Sequence, residues 1–136
     1  MATEWLVDTN VLIDIITDDP TFAESSTLAL ERCAQTGILV INPVIYAEVG
    51  AICDSLEELN SLLPIELFRR DELIWEASFL AGQAFRRYRK NKGQKQRVLA
   101  DFLIGAHAAV AGFGLISRDS GYLKYFKLEL LNPAED

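Results

Sequence analysis

Apolar and polar positions change their spacing several times along the chain, and each change marks an element. The run EWLV (4–7) reads as a short buried strand that stops at Asp8, with helix from about Val11. Asp19-Pro20 suits the N-cap and first position of a second helix, which Gly37 ends. ILVI (38–41) is a second strand, and Asn42-Pro43 opens a helix carrying VIYAEVGAIC. Ser55 and Glu58 form a capping box for a short helix that Pro64 stops. IELF (65–68) reads as a third strand. From Asp71 to Tyr88 the apolar residues Leu73, Ile74, Ala77, Leu80, Ala81, Ala84, Phe85 and Tyr88 recur at three-and-four spacing, which predicts a long amphipathic helix broken at Gly93. Residues 98–111 predict a more apolar, buried helix. GLIS (114–117) and LELL (128–131) are the last strands.

Strands separated by helices imply an α/β fold, with a short, mostly parallel sheet and helices on both faces. The chain has 136 residues, half of them hydrophobic, and no linker, repeat or low-complexity tract divides it. One domain over 1–136 is expected. In such sheets, sites form at the carboxyl ends of strands.

Charge changes the picture. The net charge of −7 argues against a nucleic-acid partner, but its distribution does not. FRRYRKNKGQKQR (85–97) holds Arg86, Arg87, Arg89, Lys90, Lys92, Lys95 and Arg97 and no acid, leaving 20 acids against the other six cations. These seven are candidate RNA-binding residues; a solvated loop between helices is the plainer reading of such a run. The N-terminus lacks the basic start and apolar stretch of a signal peptide. The longest apolar run, FLIGAHAAVAGFGLI, contains a His and is too short to span a bilayer. A soluble, cytoplasmic protein without a membrane partner is expected. Cys33 and Cys53 stand apart from each other and from any His, so buried thiols are expected rather than a zinc site or disulfide.

The acids carry the chemistry. Asp8 follows the first strand and Asp119 follows GLIS, so a parallel sheet puts both on one edge. Glu48 lies in the first turns of the helix after the second strand, flanked by Ala47 and Val49. Asp101 opens the helix VLADFLIGAHAAVAG, with the small residues Gly105 and Ala108 below it on the same face. Each acid alone has a structural reading: Asp8 as an N-cap, Asp119 as a turn residue, Asp101 at the positive end of its own helix. Together they would repel one another unless a hard divalent cation, Mg²⁺ or Mn²⁺, took their oxygens. Such an ion can activate water and polarise a phosphodiester.

The start LVDTNVLIDI, the helical Glu48, the segment DFLIGAHA and the ending LISRDSGYLKYF together resemble a PIN-domain ribonuclease, most of all the VapC toxins of type II toxin–antitoxin modules. The resemblance runs over nearly the whole chain. It implies a three-layer α/β/α fold and a metal-dependent endoribonuclease whose catalytic and metal-binding acids are Asp8, Glu48, Asp101 and Asp119. It also implies an RNA substrate, a cognate antitoxin that lays a tail over the site, and a homodimer. Ser117 stands where the family usually has Thr, and keeps the hydroxyl. Thr9 and Asn10 match polar residues beside the first acid and are expected, with Ser117, to shape the site. A PIN nuclease of housekeeping RNA processing and an inactive PIN-like binding module are the alternatives.

Other residues are less promising. His107, the only histidine, sits six residues after Asp101, about 240° round the helix, and is expected in the core. Asp14 is expected to be solvated or paired. Trp5, Trp75 and Tyr46 could stack on bases, but aromatic residues at apolar spacing are more often core. The D-T-N sequence lacks the second Asp of a D-x-D phosphatase, and no GxxxxGK loop is present.

Overall fold

The computed structural model describes residues 1–91 and 96–135. In chain order they form β1 (Glu4–Val7), α1 (Thr9–Ile16), α2 (Ala23–Thr36), β2 (Ile38–Ile41), α3 (Pro43–Gly50), α4 (Leu56–Leu62), β3 (Phe68–Arg70), α5 (Trp75–Lys90), α6 (Leu99–Ala111), β4 (Gly114–Ile116), a 3₁₀ turn (Ser120–Lys124) and β5 (Leu130–Leu131). The strand order is β3-β2-β1-β4-β5 and every pairing is parallel. The first strand is therefore the central one. The order runs outward from β1 in one direction through β2 and β3, then jumps back to β4. Right-handed crossovers put the helices of these two excursions on opposite faces, giving three layers α/β/α. Packing of α1 on α2 and of α5 on α6 agrees.

The strands are short because they are buried on both faces and need few residues to cross the core. Leu6 and Val7 of β1, Val40 of β2, and Leu115 and Ile116 of β4 are fully enclosed. Burial of that kind explains their unbroken apolar runs. Around them pack Phe102 and Ile104 of α6, Ile45 and Val49 of α3, and Val11 of α1.

Several boundaries differ from the sequence reading. Helix α2 starts at Ala23, because Asp19 commits its carboxylate to the amides of Thr21 and Phe22 in a turn that precedes the helix. The third strand is Phe68–Arg70, not 65–68: Ile65 and Leu67 are exposed, and Phe68 opens the pairing opposite Leu39. Helix α5 starts at Trp75, beyond Leu73 and Ile74, and its expected end at Gly93 lies outside the described residues. Its inner face is Ala77, Ala81 and Ala84, while Trp75 and Phe79 stand 89% and 71% exposed on the outside. The Ser55–Glu58 box is half formed: Ser55 caps the Glu58 amide, but Glu58 Oε2 accepts from Asp54 N. Cys33 is buried, Cys53 half-buried, and both are free.

His107 is a core residue. Asn42 caps α3 by accepting from Ile45 N at 2.9 Å, which fixes its amide so that Nδ2 points to His107 Nδ1 at 3.0 Å. Nδ1 is then an acceptor, and the ring is the neutral Nε2–H form. Burial pushes its pKa down.

Candidate active site

The strand order reverses at β1 and β4, and the crevice outside their carboxyl ends is where parallel sheets bind ligands. Asp8 is the first residue beyond β1. Its backbone N–H continues the ladder to Ile116 O at 2.9 Å, so the position is as fixed as the strand itself. The side chain caps α1: Oδ1 accepts from Thr9 N at 2.8 Å. Oδ2 accepts from Ser117 Oγ at 2.7 Å and more weakly from Asn10 Nδ2 at 3.3 Å.

Ser117 and Asn10 tie the ends of β1 and β4 together. The Ser117 hydroxyl, giving its one proton to Asp8, accepts from Asp119 N at 3.0 Å and Asn10 Nδ2 at 3.2 Å. Asn10 Oδ1 accepts from Arg118 N at 3.2 Å. Thr9 faces the other way and donates its hydroxyl to Glu48 Oε1 at 2.6 Å, linking α1 to α3.

Asp101 lies in the first turn of α6, where its Oδ2 accepts from Val98 N at 3.3 Å. It is near enough to Asp8 to oppose its ionisation. Gly105, one turn below, explains the approach. A Cβ there would lie 2.5 Å from the Phe126 ring and 2.9 Å from Tyr122 Cδ1, so the missing side chain lets the 3₁₀ turn pack against α6. That packing buries Tyr122 with its hydroxyl in donating reach of Asp8, in the field of Asp8, Asp101 and Asp119 together. Burial and these three carboxylates push the phenol far up, so it stays a donor.

Asp119 caps the 3₁₀ turn, with Oδ1 accepting from Gly121 N at 2.9 Å. Both its oxygens also meet Arg97, at 2.7 Å from Nη1 to Oδ2 and 2.9 Å from Nη2 to Oδ1. Arg97 thus belongs to the site rather than to an exposed basic track. Arg86, Arg87, Arg89 and Lys90 lie towards the outside of α5, and the first, third and fourth line a cleft of about 430 Å³ with Gly82 and Phe85. Lys92 and Lys95 lie outside the described residues.

Asp8, Asp101 and Asp119 keep their local capping roles, and Glu48 is held by the Thr9 hydroxyl. They are not gathered around a point: among the described residues no three His, Cys, Asp or Glu side chains are placed to hold one metal ion. Their charges are balanced unequally. Asp119 has Arg97, and Asp14, behind the site, has Arg118 at 2.6 Å and the Ser26 hydroxyl. Asp8 is enclosed, and no cation among the described residues bonds to it. Burial pushes its pKa up to about 6, with Asp101 adding to the rise, against hydrogen bonds from Ser117, Thr9 and Tyr122 that lower it.

The family model for the PIN domain matches residues 5–127. The chain is a PIN domain. Solved structures similar to it include VapBC2 from Rickettsia felis bound to promoter DNA (19% identity, 95% of this chain and 98% of that one, TM-score 0.73). VapBC-1 from nontypeable Haemophilus influenzae is similar at 19% identity, over 97% and 99% of the two chains, with TM-score 0.73. VapC20 from Mycobacterium tuberculosis, described as a Sarcin-Ricin loop cleaving toxin, is similar at 12% identity over 90% and 96%, with TM-score 0.60. No curated protein sequence matches this PIN domain.

Sequence reasoning missed Tyr122 and misplaced Arg97. Tyr122 follows Asp119 by three residues in a tight turn, a spacing that could have put its ring beside the acids. Nothing local marks Arg97 off from its six basic neighbours. Among the described residues, no helix of this PIN domain is long and apolar enough to cross a membrane.

Proposed function

We propose that this PIN domain is a metal-dependent endoribonuclease and the toxin of a toxin–antitoxin pair. The observation that carries the reading is Asp8: a carboxylate enclosed at the switch point of the sheet, resisting ionisation, with Asp101 beside it and no cation bonded to it among the described residues. A hard divalent cation fits that imbalance. Carboxylate oxygens are its preferred donors, and its charge replaces the one that the fold withholds from Asp8. Asp8 and Asp101 would hold it, with Glu48 and Asp119 at the margins, and Mg²⁺ or Mn²⁺ matches the donor type. When bound, the ion supplies an activated water and a positive charge against the phosphoryl oxygens.

The remaining roles belong to the chain. Thr9, Asn10 and Ser117 fix the direction of Asp8 and Glu48 through the bonds described above. Tyr122, neutral and buried, is a donor to Asp8 and fixes the turn that carries Asp119 against α6. Arg86, Arg87, Arg89 and Lys90 offer RNA phosphates a positive approach on an otherwise acidic protein. The similarity to VapBC complexes supports a cognate antitoxin as partner, and a homodimer in the cytoplasm is the assembly we expect.

The purified protein should cleave RNA with Mg²⁺ or Mn²⁺ and stop in excess EDTA, and Asp8→Asn and Asp101→Asn should lose most of that activity while folding normally. Undiminished cleavage in chelator removes the metal from the reading. Expression without a partner should arrest growth, and expression of Asp8→Asn should not. Harmless expression of an active nuclease would move the protein to housekeeping RNA processing.

A further inference from the structure

The basic segment ends inside the acidic site, and its last residue is unlike the others. The Arg97 side chain is only 8% exposed and Asp119 16%. Its backbone N–H donates to the Tyr88 hydroxyl at 2.7 Å, which anchors it to the end of α5. Its guanidinium carbon lies 6.0 Å from the centre of the Tyr122 ring. Gly121 completes the seat, since any Cβ there would collide with Arg97 Nη2. The fork thus fits a space that the sequence of the 3₁₀ turn leaves open, and it takes both oxygens of Asp119.

We propose that Arg97 is an in-chain counter-ion that withholds Asp119 from the metal, leaving Asp8 and Asp101 to set metal affinity. The inference rests on the reading of this edge as a metal site. A guanidinium stays protonated in any physiological medium, so the lock does not open by titration. A carboxylate held by two charge-assisted bonds and a backbone amide offers little to a second cation. The guanidinium charge also repels a divalent ion brought to the same oxygens. Arg97 is therefore a positioning residue, and it accounts for the separation of Asp119 from the other acids. The plainer reading, that the pair only fastens the start of α6 to the 3₁₀ turn, predicts no effect on metal binding once the fold is intact.

Mn²⁺ titration of the metal-free protein by calorimetry separates these readings, with the number of Mn²⁺-bound waters measured by proton relaxation. Arg97→Gln should bind Mn²⁺ more tightly by about 10-fold, the scale on which partners of metal ligands act. It should also remove about one bound water, because Asp119 becomes a ligand in its place. The double variant Arg97→Gln/Asp119→Asn has the charge of the wild type and should return to wild-type affinity and water count. Gly121→Ala moves the guanidinium without changing any charge, and should act in the same direction as Arg97→Gln. It provides the same information if Arg97→Gln does not fold. Unchanged Mn²⁺ affinity in both Arg97→Gln and Gly121→Ala overturns the proposal. So does a double variant that binds as weakly as Asp8→Asn, since Asp119 is then a ligand in the wild type. If Asp8→Asn abolishes Mn²⁺ binding while either of those results holds, the metal site stands and only the role of Arg97 falls. If Mn²⁺ binds none of the variants or the wild type, both readings fall together.

Discussion

Ser117 Oγ donates to Asp8 Oδ2 at 2.7 Å, joining the carboxyl end of β4 to that of β1 through two buried side chains. Of the influences that lower the Asp8 pKa, this bond is the largest. Ser117→Ala should therefore raise that pKa further above about 6, as followed by carboxyl NMR of the metal-free protein. Stability should fall by about 1–3 kcal/mol, the cost of leaving a buried acceptor short of a partner. A pKa unmoved in Ser117→Ala would mean that Thr9 and Tyr122 suffice to hold the charge.

Asp8 should make the metal-free protein more stable in mild acid than at neutrality. Its folded pKa, about 6, lies above the unfolded value near 3.8, so between those limits the folded state binds the extra proton. Stability then falls as pH rises through that window, by about 3 kcal/mol in total for a shift of some two units. His107 works in the opposite direction: its lowered folded pKa favours the unfolded state as pH falls below 6.5. The two overlap, so the test compares urea melts of the wild type and Asp8→Asn in EDTA, both of which retain His107. Asp8→Asn should be the more stable at pH 7.5, and its advantage should vanish by pH 4. An advantage independent of pH would assign it to packing.

The pair behind the site, Arg118 with Asp14, should be costly to break from one side. Asp14 is nearly enclosed, and Arg118 reaches it with two bonds while lying 4.0 Å over the Phe22 ring. Arg118→Met should cost about 3 kcal/mol, because it strands a buried carboxylate. Adding Asp14→Asn should recover part of that loss. Additive losses in thermal melts of the two single variants and the double would rule out the coupling.

Among the basic residues, those on the outside of α5 should behave unlike Arg97. Arg86, Arg87 and Arg89 changed together to Gln should weaken RNA binding. The slope of log K against log salt should flatten by about 0.7 for each phosphate of single-stranded RNA that is no longer neutralised. Metal affinity should stay nearly constant. An unchanged salt slope would assign these side chains to solvation or to a partner.

Much of the layout is legible in the sequence because it depends on local chemistry. β1 and β2 are continuous apolar runs with a sharp polar stop, and Asn42-Pro43 and Ser55 cap the helices they precede. β3 is not legible in this way: IELF has the composition of a strand, but Phe68 alone of its four residues finds a paired place beside β2. The candidate site divides likewise. The acids stand out by their positions after strands and at helix starts. Tyr122 and Arg97 depend on Gly105 and Gly121, two absences of side chain that let distant segments meet. Such close approaches are tertiary facts with no periodic signature along the chain.

The place of β1 has a further consequence for how the protein comes into being. Of the five strands of the sheet it is synthesised first, yet it lies at the centre, and one of its neighbours is β4, at residues 114–116. A growing chain can pair β1 with β2 early, but the Asp8 amide has no Ile116 carbonyl to bond until β4 has been made. Contacts so far apart in sequence form late and slowly. The edge that bears the acids is therefore assembled last, and a partly translated chain carries Asp8 without Ser117, Asp119 or Tyr122. The surroundings of Asp8 are therefore incomplete until β4 and the 3₁₀ turn after it have been added to the chain.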